Sequence, residues 1–274
     1  MRIVAIREKT VALSSTVRNA SIGFAGMTAS ALAMVSDVMR DGIPVVGFAF
    51  DSVGRYGHGG LLRERFIPRV LAAEPEGYLD EESGGPDPFK IWKIAMRDEK
   101  PGGHGERSGA VGLIDAAAWD LAAKLEEKPL WHVLAERFGD GSPAERVPVY
   151  ASAGHYHAEN DVALLVEEVR RCGGIAVPCH PGRTRVGMVA HVHQRGSVEG
   201  VEVIEVLNGG SRGTENDEAG HLAEEYGYRG IGGSDAHIVS HIGRCATHFE
   251  EPIESIEELV SALQHGGYRA LRPA

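Results

Sequence analysis

The chain has 274 residues, 43% of them hydrophobic and 24% charged, and a formal net charge of −11. That balance fits a globular chain with one large core or two modest ones. It argues against a nucleic-acid partner and against anionic membrane surfaces, which both need clustered Lys and Arg. The three cysteines, Cys172, Cys179 and Cys245, form no CxxC pair, and the start MRIVAIREKT is a charged alternating segment. A cytoplasmic location without a signal peptide is therefore expected. No apolar run approaches the ~18 residues that a membrane span needs.

In chain order, residues 1–50 read as three strands. Arg2–Leu13 comes first, then Ala31–Arg40 and Ile43–Phe50, the last two joined at Asp41-Gly42, a tight-turn signal for a hairpin. Asp51–Gly60 (DSVGRYGHGG) reads as a glycine-rich loop. Helical patterns follow at Leu61–Ala73, Pro88–Arg97, Glu106–Leu125 and Pro129–Phe138, with Gly/Pro-rich breakers at Glu81–Pro88 and Lys100–Gly105. The buried stripe of the longest helix is Val111, Ile114, Ala118, Leu121 and Leu125.

From Val147 the pattern alternates. Strands are expected at Val147–Tyr150, Ile175–Val177, Val201–Leu207, Arg229–Gly232, Cys245–Phe249 and Tyr268–Leu271. Helices are expected at Asp161–Arg171, Val186–Gln194, Glu215–Tyr226 and Ser255–His265. The first of these has an apolar face of Val162, Leu165, Val166 and Val169, with Asn160 and Asp161 as capping candidates and Gly173-Gly174 as the stop. Alternation of strand and helix implies a parallel sheet or a βα barrel. A full eightfold barrel takes ~250 residues, about twice what residues 147–274 supply, so only part of one is expected.

Chemistry-bearing residues gather beyond strand ends, the edge where α/β sites form. His155 and His157 follow the Val147 strand, and His180 follows the Ile175 strand. Asp235 and His237 follow the Arg229 strand inside Gly-Gly-Ser-Asp-Ala-His. Such residues suit a divalent metal. Arg183 can hold a phosphate by bidentate hydrogen bonds, or be a plain loop arginine. Glu205 lies on the Val201 strand and either points inward or forms an edge salt bridge. His191, His193, His221, His241 and His248 are scattered and read as surface residues.

Two family resemblances meet in this chain. The segments MRIVAIREKT, RNASIGFAGMT, FDSVGRYGHGG, RERF, EKPGGHGERSGAVGLIDAAAWDLAAKLEEKPL and RVPVYASAG resemble the enolase superfamily, specifically mandelate racemase-like acid-sugar dehydratases of the D-tartrate dehydratase type. That resemblance covers residues 1–155. It implies an α+β capping domain, a three-stranded sheet plus helices, in which Asn19 and Lys100 face a hydroxy-diacid. Lys100 can also be read as a solvated loop lysine. Val53 stands where the family has an asparagine, and Asp51 replaces another, which argues against tartrate itself. The family's barrel also needs a Lys or His base and three carboxylates that hold Mg²⁺. No such series follows residue 160.

Residues 162–274 instead resemble the C-terminal half of a PHP (polymerase and histidinol phosphatase) domain, a metal-dependent phosphoesterase. The matching segments are EEVRRCGGIAVPCHPGR, GVEVIEVLNGG, ENDEAGHLAEEYGYRGIGGSDAHIVSHIG and PIESIEELVSAL. The resemblance implies Zn, Mn or Fe at His180, Asp235 and His237. In that family the other ligands come from a first half that this chain lacks. His155 and His157 can supply the deficit, or can be a variant of a tyrosine-rich run at that place in the dehydratases.

The expected organisation is a capping domain (1–128), a connecting helix and loop (129–146), and a shortened or incomplete βα barrel (147–274). The expected function is metal-dependent phosphoester hydrolysis, with an incomplete metal site and weak or no activity. A dehydratase relative that retains only its capping domain is one alternative, and a non-catalytic fusion or binding protein is the other. The expected partner is a small anionic substrate, a phosphate ester or hydroxy-diacid. A homo-oligomer is a further expectation, since an incomplete barrel exposes apolar edges.

Overall fold

The computed structural model describes residues 1–15, 23–51, 57–100, 105–142, 144–147, 149 and 162–272. They fall into two compact units, one of residues up to Val147 and one of residues beyond it. No helix among the described residues is long and apolar enough to cross a membrane.

The first unit opens with an antiparallel sheet in the order β1 (Ile3–Ala12), β2 (Thr28–Arg40), β3 (Ile43–Phe50). The turn between β2 and β3 has φ of 50° at Asp41 and 78° at Gly42. Two consecutive positive φ values match the right-handed twist of a hairpin, and Asp-Gly tolerates them. Strand β2 alternates so that Leu32 and Met34 are buried.

Helix α1 (Gly57–Leu61) and helix α2 (Ile67–Leu71) flank a π-helical turn, Leu62–Phe66. The expected glycine-rich loop therefore ends earlier than its composition implies. Burial of His58 and Gly59 against the fold outweighs the low helix propensity of Gly-His-Gly-Gly. Helix α3 (Pro88–Ala95) starts on Asp87, whose carboxylate accepts the Phe89 N–H at 2.8 Å and the Lys90 N–H at 3.2 Å. That is an N-cap with proline in the first turn.

Helix α4 (Glu106–Leu125) is the centre of this unit, and α5 (Leu130–Phe138) follows it. Ala110, Val111, Leu113, Ile114, Ala117, Ala118, Leu121, Ala122 and Ala123 are all buried, a wider band than one stripe. The reason is packing on two sides, since the same core holds residues of the sheet, α2 and α3. Each fully buried Ile or Leu there contributes ~1.5–3 kcal/mol. The inner ends of the loops carry a buried polar network. Asp51 accepts the Ser30 N–H at 2.9 Å and pairs with His58 Nδ1, while His58 Nε2 lies 3.1 Å from Glu106 Oε2. Glu99, its side chain only 2% exposed, takes Arg65 and Arg69 at 2.8 Å and Arg107 at 3.3 Å.

The second unit starts with α6 (Val162–Arg171), which buries Val166 and leaves Leu165 and Val169 half-buried. Then come α7 (Met188–Arg195), β4 (Val203–Asn208), α8 (Glu215–Tyr226), β5 (Arg229–Gly233), β6 (Ala246–Phe249), α9 (Ile256–His265) and β7 (Tyr268–Leu271). Strands β4 and β5 pair in parallel, from Val203 opposite Arg229 to Asn208 opposite Gly233. Strands β6 and β7 pair antiparallel. Thr247 Oγ1 joins the two pairs, donating to the Gly232 carbonyl at 2.9 Å and accepting its N–H at 3.0 Å. Val166, Val192, Val198, Val201, Ile204 and Leu222 form the small core.

One strand expectation needs correction, and another falls partly outside the described residues. Ile175–Val177 is in no ladder among the described residues; just beyond it the Pro178 carbonyl accepts the Glu205 N–H at 3.1 Å. Pro178 has no N–H to give and Pro181 follows, so a ladder cannot continue past Val177. Of the expected Val147–Tyr150 strand only Val147 and Val149 are described, and both are exposed. Pro148, Tyr150, Asn160 and Asp161 lie outside the described residues.

Candidate strand-end site of the second unit

Parallel strands place successive C-terminal ends on one edge of the sheet. Here Asn208 ends β4, Gly233 ends β5, and the segment from Pro178 to Gly182 lies beside β4. Glu205 is the anchor. It is buried, and its Oε2 accepts the His180 N–H at 2.6 Å and the Asn208 Nδ2–H at 2.9 Å. Asn208 is held in turn from α8, donating its N–H to Asn216 Oδ1 at 2.9 Å and accepting Asn216 Nδ2–H at its carbonyl at 3.1 Å. A Cβ at Gly233 would stand 2.2 Å from Glu205 Oε1, so a side chain there would displace the carboxylate from its present place.

Asp235 lies two residues past β5. Its Oδ2 accepts Arg183 Nη2–H at 2.8 Å, and the two side chains are 20% and 32% exposed. His237 Nδ1 lies 2.9 Å from the Asp235 carbonyl and 3.7 Å from its Oδ1, with most of the ring in solvent. His180 and Asp235 both have left-handed backbones, φ 35° and 46°, without being glycine. Such conformations cost about 1–3 kcal/mol each and concentrate at functional sites. His180 Nδ1 is buried and has no hydrogen-bond partner among the described residues.

Burial and then the Glu205 charge push the Cys179 thiol up, with Asp235 adding to the effect and Arg183 opposing it. Cys179 Sγ lies 3.4 Å from His180 Nε2, yet a raised thiol pKa makes a poor nucleophile at neutral pH. Glu215, at the start of α8, accepts the Arg212 N–H at 2.8 Å and the Thr184 N–H at 3.1 Å, and these bonds hold its carboxyl below the usual carboxylate range. They also tie the Arg183 loop to α8.

A divalent ion does not fit the described residues as they stand. No three His, Cys, Asp or Glu side chains among them are grouped to hold one ion. Asp235 is engaged by a guanidinium and Glu205 by two neutral donors. Of the residues read from the sequence, the structure brings Arg183, Asp235 and His237 together, with His180 on Glu205 beside them. Arg183, read as a phosphate ligand or a plain loop arginine, holds the Asp235 carboxylate. Asn19, Val53, His155 and His157 lie outside the described residues. Lys100, in the first unit, is exposed, and its carbonyl accepts Arg107 Nη1–H at 3.0 Å. Glu205 was legible as an inward-or-edge carboxylate; its pairing with Asn208 was not. The spacing of three residues across a β-strand end is the signal that could have raised it.

Residues 213–267 match the model of the family described as PHP-associated. The match runs from the start of α8 through α9 and includes Asp235 and His237. Among solved structures, the chain is similar to a mandelate racemase/muconate lactonizing enzyme-like protein from Rubrobacter xylanophilus, at 20% identity and a TM-score of 0.47. The likeness covers 82% of this chain and spans 57% of that one. The PHP-like side of the composite resemblance read from the sequence thus has a counterpart over residues 213–267.

Proposed function

We propose that the second unit is a PHP-type phosphoesterase unit on a shortened βα barrel, with an incomplete ion site and with weak or no hydrolytic activity. The observation that carries this is the Arg183–Asp235 pair. Its Asp235 sits at the strand end where the resemblance expects an ion ligand, inside the stretch that matches the PHP-associated family, and Arg183 reaches it from outside that stretch. Zn, Mn or Fe chemistry would activate a water and polarise a phosphoryl oxygen. A catalytic zinc normally keeps about three protein ligands, more than the described residues group together. The expected partner remains a small phosphate ester, and a cytoplasmic location and a homo-oligomer remain part of the proposal.

The test is hydrolysis of a generic aryl phosphate by the full chain, with and without added Mn²⁺ or Zn²⁺. Slow or undetectable turnover is expected. Fast, metal-dependent turnover that Asp235→Asn and His237→Ala abolish would sink the reading of an incomplete site. Dehydration of a hydroxy-diacid with Mg²⁺, lost in Lys100→Ala, would transfer the function to the first unit.

A further inference from the structure

Two carboxylates, Glu205 within β4 and Asp235 just past β5, are held differently. Glu205 has neutral donors, a backbone N–H and an amide. Asp235 has a full positive charge, the Arg183 guanidinium, at 2.8 Å. Its Oδ2 is also confined on the backbone side, where a Cβ at Gly210 would come within 2.6 Å of it. A side chain 20% exposed and so confined has little water to solvate its charge. A guanidinium and a divalent ion cannot share that position, because two cations within ~4 Å repel.

We infer that Arg183 is a built-in cation: its guanidinium neutralises Asp235 where a PHP-type site uses an ion, so the strand-end loops keep their places without divalent metal. This rests on the reading of residue 235 as a PHP-type strand-end ligand position. The loop geometry fits the role. Arg183 sits on a segment anchored at both ends, by the His180 N–H on Glu205 and the Thr184 N–H on Glu215, so its fork is held in place before any ligand arrives.

The experiment is thermal unfolding of the chelator-treated full chain, with a double-mutant cycle on Arg183→Met and Asp235→Asn. Wild-type Tm should be indifferent to EDTA and to added Mn²⁺. Arg183→Met alone should destabilise, and Asp235→Asn in that background should recover most of the loss, a coupling of roughly tenfold in the unfolding constant. Arg183→Lys, which keeps the charge without the fork, should retain part of the coupling and keeps the cycle usable if Arg183→Met does not fold. Additive effects, or a wild-type Tm that falls on chelation or rises with Mn²⁺, would overturn the inference. Near-stoichiometric metal in the untreated wild type would remove the reading of an incomplete site itself. A metal-free wild type with additive variants would remove only the role of Arg183.

Discussion

Gly233→Ala tests the packing of the strand-end site with one added carbon. The new Cβ would lie 2.2 Å from Glu205 Oε1, far inside contact distance, so the buried carboxylate must move. Movement breaks its bonds from the His180 N–H at 2.6 Å and the Asn208 amide at 2.9 Å. A hydrogen bond to a charged group is worth about 1.5–3 kcal/mol, and overpacking adds about 1–3 kcal/mol. Allowing for partial relaxation, a loss of about 3–5 kcal/mol is expected, a large share of a small unit's stability. The assay is urea unfolding, together with hydrogen exchange at the His180 amide, which should lose its protection. Gly220→Ala is the control. It lies inside α8 with nothing within 4 Å of its would-be Cβ and should stabilise by about 0.5–1 kcal/mol. If Gly233→Ala unfolds like wild type with the His180 amide still protected, the account of Glu205 as anchor is wrong.

Three more outcomes are expected. Burial opposes ionisation of Glu99, but the Arg69 hydrogen bond and the charges of Arg65 and Arg69 outweigh it and hold its carboxyl below the ordinary 4.5. A depressed carboxylate stabilises fully above its unfolded pKa, so this contribution should fade as pH falls below about 4.5, and Glu99→Gln should flatten that part of the pH–stability curve of the first unit. His58→Ala leaves Asp51 and Glu106 facing each other without the ring between them; calorimetry should show a loss of about 2–4 kcal/mol in the first unit, and an unchanged transition would refute the bridging role. Cys179, exposed like Cys172, should alkylate at neutral pH more slowly than a free thiol, and Asp235→Asn should speed it, since that charge raises the thiol's pKa; no change of rate in the variant would refute the electrostatic coupling.

Elements with local signals were legible in the sequence. Asp41-Gly42 marked the β2–β3 hairpin, and the patterns of α4 and α8 matched their observed bounds. Where tertiary contacts decide, the sequence was silent. Ile175–Val177 is β-branched and apolar, yet a strand also needs a partner ladder, and the prolines after it stop one from continuing. The helix at Gly57 forms because His58 is buried between nearby Asp51 and Glu106, the latter distant in the chain. The same holds for the site. The Asp235 and His180 motifs were visible as motifs, but Arg183 and Asp235 are 52 positions apart and nothing local links them. The acidic composition favours a bound cation in general; the fold shows that one cation is already part of the chain.

The most direct measurement of the central claim is elemental analysis of the purified full chain. An incomplete ion site that carries its own guanidinium predicts far less than one Zn, Mn or Fe per chain, unchanged in Asp235→Asn. Close to one metal or more per chain, lost in Asp235→Asn and in His237→Ala, would contradict it.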